Sequence, residues 1–332
     1  MYICDFIVLN IFPFFSTYIL KYIIRFYIFI SNLFSQPRVD KNIKNIKNIN
    51  KITTNEDIMN DQHYENDPLF FGSHLGSTFK YSASEWLNGH HSIEQADNHT
   101  LDFYQLELSE LKPGSFVLEV GCGWGSLTLH NARKFKHLNF VSFSNSNSQI
   151  EFIKNIVNKE KLSNVILFKE DFNKFCSENS AIQQENFSYA FAIESLEHAI
   201  NTEELLHNIG KRLKPGGKLF VQSIIHARDN YIMDNTSWMG RNFFTGGQIL
   251  KFDTYLEECP KNLINKNFKF IPGHNYSKSL YSWLDRLEMT KNSNIKIFGK
   301  NFYNNFRAFY LISAEAFRSN NFFIGYYFFS KN

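Results

Sequence analysis

Residues 116–125 read FVLEVGCGWG, an apolar run of strand length that leads directly into three glycines at alternate positions. A strand that ends in glycines before a helix is typical of the carboxyl edge of an open α/β sheet, where the chain turns sharply and its backbone approaches a ligand closely. The stretch therefore predicts a cofactor-binding turn, with an ordinary tight turn as the alternative.

The spacing of the glycines restricts the ligand. The pattern is GxGxG, whereas dinucleotide enzymes use GxGxxG to place a pyrophosphate on a helix N-terminus. The end of the second predicted strand, Phe143-Ser144-Asn145, also lacks the acid with which those enzymes hold the ribose. A P-loop is excluded because neither GKS nor GKT follows the glycines. S-adenosylmethionine is bound by a similar turn, so it is favoured over NAD.

Five short apolar strands are predicted, separated by helical segments, at residues 116–120, 138–143, 165–169, 189–193 and 218–222. A helix is predicted before them over residues 92–111, and LKPGG at residues 213–217 predicts a turn into the fifth strand. Strands that alternate with helices at this spacing indicate βαβ units and a parallel sheet.

The first 60 residues differ in composition from the rest. Residues 1–35 are apolar and aromatic, but Lys21, Arg25 and other polar residues interrupt them, so they never offer the ~18 to 20 clean apolar residues of a membrane span. We expect a membrane anchor, spanning or lying in the interface, or alternatively a non-essential extension. The basic residues that follow would keep the catalytic domain cytoplasmic. Residues 36–60, which include KNIKNIKNINKI, are predicted to be a low-complexity linker, and residues 61–332 the folded domain.

Composition excludes several classes of protein. Hydrophobic residues make up 43% and charged residues 20% of the chain, as in a globular protein that buries a core. A net charge of +3 argues against nucleic-acid binding through bulk positive charge. The four cysteines form no CxxC pair, so neither a disulfide scaffold nor a zinc module is indicated. The aromatic content of 17% indicates an aromatic core, or rings that face lipid or a cationic ligand.

Six motifs occur in the order of one known family: EVGCGWG (119–125), SNSQ (146–149), DF (171–172), IESLEH (193–198), LKPGG (213–217) and FFTGG (243–247). On these motifs the chain resembles the cyclopropane-fatty-acyl-phospholipid synthase superfamily of S-adenosylmethionine-dependent methyltransferases, and within it the plant coclaurine N-methyltransferase branch. The resemblance runs from about residue 64 to residue 331. It implies a class I methyltransferase fold, a Rossmann-like, seven-stranded, mostly parallel α/β sheet with helices on both faces.

The same resemblance implies the elements around this sheet. The last two strands would lie near Phe268–Pro272 and Phe322–Phe329. An N-terminal helical lid and a helical insertion after the fifth strand, at about residues 225–266, would flank the site. The insertion would cap the acceptor pocket with three aromatic side chains, Trp238, Phe243 and Phe244.

The resemblance also implies a site for S-adenosylmethionine. The glycine motif, a closing segment before it and the ends of strands two and three would supply ten residues: Tyr81, Ser82, Glu119, Gly121, Gly123, Gly125, Asn145, Gln149, Asp171 and Phe172. Asn145 and Gln149 would hydrogen-bond the ribose in place of the missing acid, and Asp171 and Phe172 would hold and stack the adenine. A flat base needs an aromatic face and polar edges, and aromatic walls tolerate a sulfonium cation.

The predicted chemical centre is Glu194, Glu197 and His198, in the IESLEH motif. Similar residues contact the acceptor in the N-methyltransferase branch. A free amine is mostly protonated near neutral pH, so a carboxylate and an imidazole can bind the ammonium and then accept its proton. The transfer itself is an in-line displacement that needs alignment more than covalent participation. A solvated helix start is the alternative, and the ExxEH spacing without a third ligand argues against a metal site.

Two further candidates and two departures concern the acceptor pocket. His226 and Tyr276 are candidate site residues, with core or surface roles as the alternative, and the family's His-Tyr pair reads Asn275-Tyr276 here. Cyclopropane synthases carry a cysteine where this chain has Ala83 and a histidine where it has Gln222. Both positions belong to the family's bicarbonate-binding site. Their loss argues against cyclopropanation and for methyl transfer to a heteroatom.

These observations favour an S-adenosylmethionine-dependent N-methyltransferase that acts on a small hydrophobic or aromatic amine. One alternative is a membrane-associated enzyme that modifies fatty-acyl phospholipids, which the apolar residues 1–34 support. The other is an inactive cofactor-binding scaffold, against which the intact IESLEH motif speaks. Nucleic-acid methylation is disfavoured, because the amino-methylating enzymes place (D/N)PP(Y/F) where this chain has IESLEH.

Overall fold

The glycine-ended strand lies near the centre of a sheet. It is β1, Phe116–Val120, and it pairs in parallel with β2, Asn139–Ser144, on one side and with β4, Phe187–Ile193, on the other. The structure is a computed structural model that describes residues 12–34, 51–53, 67–183, 186–233 and 237–332. The predicted linker lies outside the described residues except for residues 51–53.

Four more strands complete the predicted seven. β3, Val165–Lys169, extends the sheet beyond β2, and β5, Leu213–His226, lies beside β4. β9, Phe322–Lys331, runs antiparallel to β5 and pairs on its other side with β8, Leu263–Ile271. The resulting order β3-β2-β1-β4-β5-β9-β8, with β9 reversed, confirms the predicted mostly parallel α/β sheet.

The described residues also form two short strands and twelve helices. The strands β6, Tyr231–Ile232, and β7, Gln248–Lys251, pair beside the end of β5. The helices are α1 (Thr17–Phe34), α2 (Pro68–Gly72), α3 (Ile93–Tyr104), α4 (Ser126–Lys134), α5 (Asn147–Glu160), α6 (Phe172–Phe175), α7 (Thr202–Arg212), α8 (Trp238–Asn242), α9 (Thr254–Glu257), α10 (His274–Met289), α11 (Lys291–Phe298) and α12 (Lys300–Arg318).

Capping side chains explain where several helices begin. Ser146, Asp171 and Asn201 precede α5, α6 and α7, and the side chain of each accepts a hydrogen bond from the backbone N–H three residues on. The first two caps belong to the SNSQ and DF motifs. These motifs therefore also fix the start of the helices that follow β2 and β3.

Alternate residues of the central strands enter two cores, one on each face of the sheet. In β4, Tyr189 and Phe191 join the cluster that contains residues of α10 and α12. Ala190 and Ala192 join the cluster that contains residues of α7. Because helices cover both faces, the strands are apolar on both sides, as parallel strands usually are.

Several elements differ from the sequence-based prediction. The helix predicted over residues 92–111 ends at Tyr104 and is followed by a short 3₁₀ helix, Leu108–Glu110. The predicted turn at residues 213–217 is part of β5, with Gly216 in the left-handed region at φ 70°. The insertion after β5 holds α8 and α9, as expected, and also β6 and β7. The patterns above do not predict the helices α10 to α12.

Residues 51–53 pack against the domain although they fall within the predicted linker. Ile52 is buried, its N–H donates to Asn173 Oδ1 at 2.7 Å, and its carbonyl accepts from the N–H of Ile200 at 2.8 Å. This stretch therefore joins α6 to the loop before α7, and Thr53 reaches the cavity described below.

Helix α1 presents its charged side chains to the domain. Arg25 Nε donates to Glu315 Oε2 of α12 at 2.8 Å, and Lys21 Nζ lies 4.0 Å from the centre of the Tyr281 ring. Arg307 further holds the segment before α1 through the carbonyl oxygens of Phe12 and Phe15. In the part of the chain that the structure describes, no helix is both long and apolar enough to cross a membrane.

The junction between β8 and α10 supplies a test of the packing. A Cβ on Gly273 would lie 2.2 Å from the carbonyl oxygen of Phe322 and 2.5 Å from that of Phe317, and neither backbone atom can move aside easily. We expect Gly273→Ala to lower the free energy of unfolding by about 3 kcal/mol through this overlap.

Gly89→Ala is the matched control. Gly89 has a φ of 92°, but a Cβ there would meet no atom within 4 Å, so only backbone strain of about 1 kcal/mol is expected. Chemical denaturation of the two variants measures both values. Equal losses of stability would show that the predicted overlap at Gly273 does not exist.

Candidate functional site

A cavity of about 130 Å³ lies where β1, β2 and β4 end. Eleven predicted site residues line it: Tyr81, Ser82, Glu119, Gly121, Gly123, Asn145, Gln149, Asp171, Phe172, Glu194 and His198. The sequence patterns did not identify other lining residues, among them Thr53, Lys80, Trp124 and Ser195. A cleft at the carboxyl ends of parallel strands is the usual place for a ligand in this class of fold.

The glycine turn forms the floor of the cavity. Gly121, Gly123 and Gly125 have φ angles of 76°, 51° and 79°, in the left-handed region that favours glycine. A Cβ on Gly121 would lie 2.6 Å from Ser195 Cβ, and a Cβ on Gly125 would lie 2.7 Å from Ile153. A Cβ on Gly123 would meet no protein atom within 4 Å. Gly123 therefore faces open space in the cavity, whereas Gly125 packs behind it at the start of α4.

Glu119 supports this turn from inside the protein. Its Oε2 accepts a hydrogen bond from Thr128 Oγ1, which is also 2.7 Å from Ser142 Oγ. Burial raises the pKa of Glu119 to about 8, against the hydrogen bonds from Thr128. The carboxyl group thus ties β1 to α4 and β2, and Thr128 and Ser142 carry no sequence signal that would have predicted this.

The ends of β2 and β3 provide polar groups and one ring. Gln149 is buried and its Oε1 accepts from Ser144 Oγ at 2.7 Å, which fixes the direction of its amide. Asp171 Oδ1 accepts from the N–H of Lys174 at 2.6 Å, so part of this carboxylate is used to cap α6. Phe172 lies on Phe143 at 6.1 Å and 84°, with one side on the cavity. These groups suit a flat base with polar edges.

The closing segment, residues 80–83, covers the cavity from the other side. The Tyr81 ring packs 5.1 Å from Phe71 and 5.4 Å from Trp283, and Ser82 Oγ accepts from Lys80 Nζ at 2.9 Å. Lys80 is 1% exposed. A lysine is rarely buried without a specific reason, and this one is considered further below.

Glu194 stands at the end of β4 in an unusual backbone conformation, with a φ of 47°. Its Oε1 accepts from the N–H of Ala83 at 2.8 Å and from Gln222 Nε2 at 2.6 Å, and the Tyr276 hydroxyl also hydrogen-bonds this carboxyl group. Burial raises the pKa of Glu194, while the charge of Lys80 and these hydrogen bonds oppose the rise. Ala83 and Gln222 are the two positions at which the sequence departs from cyclopropane synthases.

Glu197 is buried beside this group but does not line the cavity. Its Oε1 accepts from Ser223 Oγ at 2.8 Å and from the N–H of Ile224 at 2.6 Å. Its Oε2 has no hydrogen-bond partner among the described residues. Burial, followed by the neighbouring charge of Glu194, raises the pKa of Glu197 to about 8. Glu197 Oε2 can therefore take a further hydrogen-bond partner, whether the carboxyl group is protonated or ionised.

His198 lines the cavity as a neutral imidazole. Burial lowers its pKa to about 4, so the ring is uncharged at neutral pH and can accept a proton. The Phe244 ring lies 6.0 Å away at 17°, nearly parallel to the imidazole. Desolvation is the cause of this lowered pKa, and the Phe244 ring from the insertion after β5 is one of the groups around the imidazole.

The two second-rank candidates differ in position. Tyr276 is buried on α10 against Phe317 at 4.5 Å and reaches Glu194, so the structure brings it to the predicted chemical centre. His226 ends β5, where its Nδ1 accepts from the N–H of Asp229 at 3.0 Å and its ring packs on Phe322 at 5.1 Å. His226 does not line the cavity. In the described part of the chain no cluster of His, Cys, Asp and Glu is arranged to hold a metal ion.

Comparison with known proteins relates this arrangement to one family. A sequence model of the mycolic acid cyclopropane synthetase family matches residues 50–325. The (S)-coclaurine N-methyltransferase of Thalictrum flavum subsp. glaucum is 29% identical over 288 residues, which cover 82% of this chain and 77% of that protein. The (S)-coclaurine N-methyltransferase of Papaver somniferum is 28% identical over 242 residues, 72% of this chain and 67% of that protein.

Two solved structures share the fold. A crystal structure of coclaurine N-methyltransferase, bound to N-methylheliamine and SAH, superposes with a TM-score of 0.83 at 25% identity and covers 96% of this chain and 97% of that one. The cyclopropane synthase MmaA2 from Mycobacterium tuberculosis superposes with a TM-score of 0.72 at 18% identity, with 85% and 100% of the chains covered, and it shows the fold alone.

The glycine cradle, the polar ends of β2 and β3, and the ring of Phe172 fit S-adenosylmethionine, and the expected family is confirmed. Because the family match spans most of the chain and the relatives are methyltransferases, the chain belongs to the mycolic acid cyclopropane synthetase family and is an S-adenosylmethionine-dependent methyltransferase.

Proposed function

We propose that the chain transfers a methyl group to the nitrogen of a small hydrophobic or aromatic amine. The observation that carries the proposal is the group of Glu194, Glu197 and His198 at the cofactor cavity, in which Glu197 is buried and its Oε2 has no hydrogen-bond partner among the described residues. The relatives named above are N-methyltransferases of amines by name, which supports the same acceptor class for this chain.

The buried acids are suited to an acceptor that arrives as an ammonium ion. Burial has removed the water that would stabilise the Glu197 carboxylate. An ammonium ion that binds beside it would supply a compensating positive charge and so favour its ionised form. The pKa of about 8 for Glu197 is close to the range in which a general base is effective. Glu197 Oε2 or the neutral His198 can then take the proton of the ammonium.

The remaining step needs alignment. S-adenosylmethionine, when bound, supplies a methyl group on a positively charged sulfur. The freed lone pair of the amine forms the new N–C bond as the S–C bond breaks, and the electrons of that bond remain on sulfur. The residues around the cavity hold the two reactants in line and exclude water, and rings such as Phe172 and Phe244 tolerate the positive charges.

A specific contact favours nitrogen methylation over cyclopropanation. The resemblance assigns positions 83 and 222 to a bicarbonate site in cyclopropane synthases. Here the N–H of Ala83 and the Nε2 of Gln222 both donate to Glu194 Oε1, at 2.8 and 2.6 Å. The Glu194 carboxylate therefore accepts the hydrogen bonds that a bound bicarbonate would otherwise need from these two donors.

The acid group can be tested by substitution. With S-adenosylmethionine and a panel of small aromatic amines that includes (S)-coclaurine, Glu197→Gln and His198→Ala should each lower kcat by roughly 10²-fold, because the acceptor keeps its proton. Calorimetry should show little change in cofactor affinity. Glu203→Gln, at an exposed position in the first turn of α7, is the control and should retain full activity. Full activity in both site variants would disprove the assigned roles.

The cofactor cradle can be tested independently of the acceptor. In Gly123→Val the added side chain would enter the open space of the cavity, so we expect binding of S-adenosylmethionine to weaken by roughly 100-fold or more. Gly114→Val is the matched control: its φ is 81° and a Cβ meets no atom within 4 Å, but it lies outside the cavity. Calorimetric titration of both variants decides the point, and unchanged binding by Gly123→Val would contradict the cradle.

We also propose that the outward face of α1 contacts a membrane surface. The helix turns Lys21 and Arg25 toward the domain, while its apolar and aromatic side chains point outward: Tyr18, Ile19, Tyr22, Ile23, Phe26 and Tyr27. Residues 35–51 add one arginine and four lysines against one acid, a charge that suits an anionic lipid surface. Aromatic side chains are common at the level of lipid headgroups.

Vesicle binding tests this surface. The wild-type chain should co-sediment with phosphatidylserine-containing vesicles, and Tyr22→Glu combined with Phe26→Glu should abolish this by adding charge to the apolar face. Met289→Glu, at an exposed apolar position on α10, is the control and should bind as the wild type does. Co-sedimentation that survives the double substitution, or a face that instead mediates dimerisation in light scattering, would contradict the proposal.

A further inference from the structure

Lys80 is the least expected residue of the cavity. Its side chain is 1% exposed, and its Nζ donates to the carbonyl oxygen of Ser82 at 3.0 Å, to Ser82 Oγ at 2.9 Å and to the carbonyl oxygen of Ala83. An ammonium group has three N–H bonds, whereas a neutral amine has two and a lone pair. The charged form can donate to all three oxygens at once, although burial of that form is costly.

The peptide groups at Ala83 connect this cation to Glu194. The N–H of Ala83 donates to Glu194 Oε1 at 2.8 Å, and the carbonyl oxygen of Ala83 accepts from Lys80. Gln222 Nε2 donates both to Glu194 Oε1 at 2.6 Å and to the Ala83 carbonyl at 3.1 Å, while its Oε1 accepts from the Tyr104 hydroxyl. Without the hydrogen bond from Lys80, the Ala83 carbonyl is held less firmly. The N–H of Ala83, which donates to Glu194, then loses one of the contacts that fix its position.

The charged and titratable groups that face this network come from four elements. Asp97 of α3 faces Lys80 and is itself held by Thr78 Oγ1 and Ser84 Oγ, each at 2.6 Å. Glu194 faces Lys80 from the end of β4, with Glu197 beyond it. The phenols of Tyr104, Tyr276 and Tyr326 approach Glu194 from α3, α10 and β9. Among these groups Lys80 is the cation and the others are acids.

We infer that Lys80 is a positioning residue, which holds the closing segment over the cofactor and places a positive charge across Ala83 from Glu194. The inference rests on the proposed function for the use of Glu194 at the acceptor, but neither of its effects requires an acceptor to be measured. Tyr81 and Ser82 line the cofactor cavity, so release of the closing segment should weaken cofactor binding. Loss of the charge changes the titration of Glu194, because only the hydrogen bonds then oppose the effect of burial.

Two substitutions separate the two effects. Lys80→Met removes the charge and all three donors at nearly the same length, whereas Lys80→Gln removes the charge but keeps an amide with two donors. Both variants should raise the pKa of Glu194 by about one pH unit or more. This titration is followed by ¹³C NMR of protein labelled at the glutamate carboxyl carbons, with the Glu194 signal assigned through Glu194→Gln. S-adenosylmethionine affinity by calorimetry should fall by roughly tenfold in Lys80→Met and less in Lys80→Gln.

Lys134→Met is the control, because Lys134 is an exposed lysine paired with Asp102 on the surface, and it should change neither measurement. An unchanged titration of Glu194 in both Lys80 variants would overturn the inference, as would failure of both to fold, since that would make Lys80 a structural residue. Loss of amine methylation without any change in these two measurements would count against the inference and leave the proposed function standing. The expected titration in a protein that methylates no amine would support the inference and count against the proposed function.

Discussion

The constraint on which the site depends is the burial of several acids in one small region. Asp97 and Glu197 are buried and Glu194 is half-buried where it lines the cavity, and a buried charge is tolerated only where hydrogen bonds or an opposite charge compensate for lost hydration. Hydroxyl groups hold Asp97, a backbone N–H and an amide hold Glu194, and Ser223 with a backbone N–H holds one oxygen of Glu197. The remaining oxygen of Glu197 has no hydrogen-bond partner among the described residues, and the proposed ammonium acceptor would supply the compensating charge there.

The sheet places these groups next to the cofactor cradle. Ile193 of β4 pairs with Gln222 of β5, and the N–H of Glu194 donates to the Gln222 carbonyl at 2.7 Å, so the strand pairing itself brings the Gln222 amide to the Glu194 carboxyl group. One residue further, Ser195 donates to the carbonyl oxygen of Val120 at 2.6 Å and packs against Gly121. Glu194 and Ser195 are adjacent in the chain, and they contact the Gln222 amide and the glycine turn respectively. This loop therefore couples the position of the acids to the position of the cofactor cradle.

Short-range patterns in the sequence predicted the strands of the sheet, which depend mainly on neighbouring residues. The strands from β1 to β4 appear within two residues of the predicted bounds, because each is a short apolar run between turn signals. The helices α10 to α12 were not predicted, although apolar residues of α10 such as Leu280, Trp283 and Leu287 recur at helical spacing. Lys80 gave no signal because a lysine in a sequence normally indicates a surface. The raised pKa of Glu197 follows from its burial and from the charge of Glu194, against the hydrogen bonds from Ser223 and Ile224, and only the fold brings these groups together.

The aromatic content can now be assigned to separate physical roles. Phe70 packs with Phe298, Phe302 and Phe306 in the helical layer, where rings fill volume, while Phe172 and Phe244 lie at the cavity and on His198. A ring beside His198 leaves the imidazole neutral, which an acid in the same place would not. Phe244 belongs to the insertion after β5, whereas the acids belong to β4 and its following loop. A change in the insertion can therefore alter the shape of the pocket while the groups proposed to remove the proton stay in place.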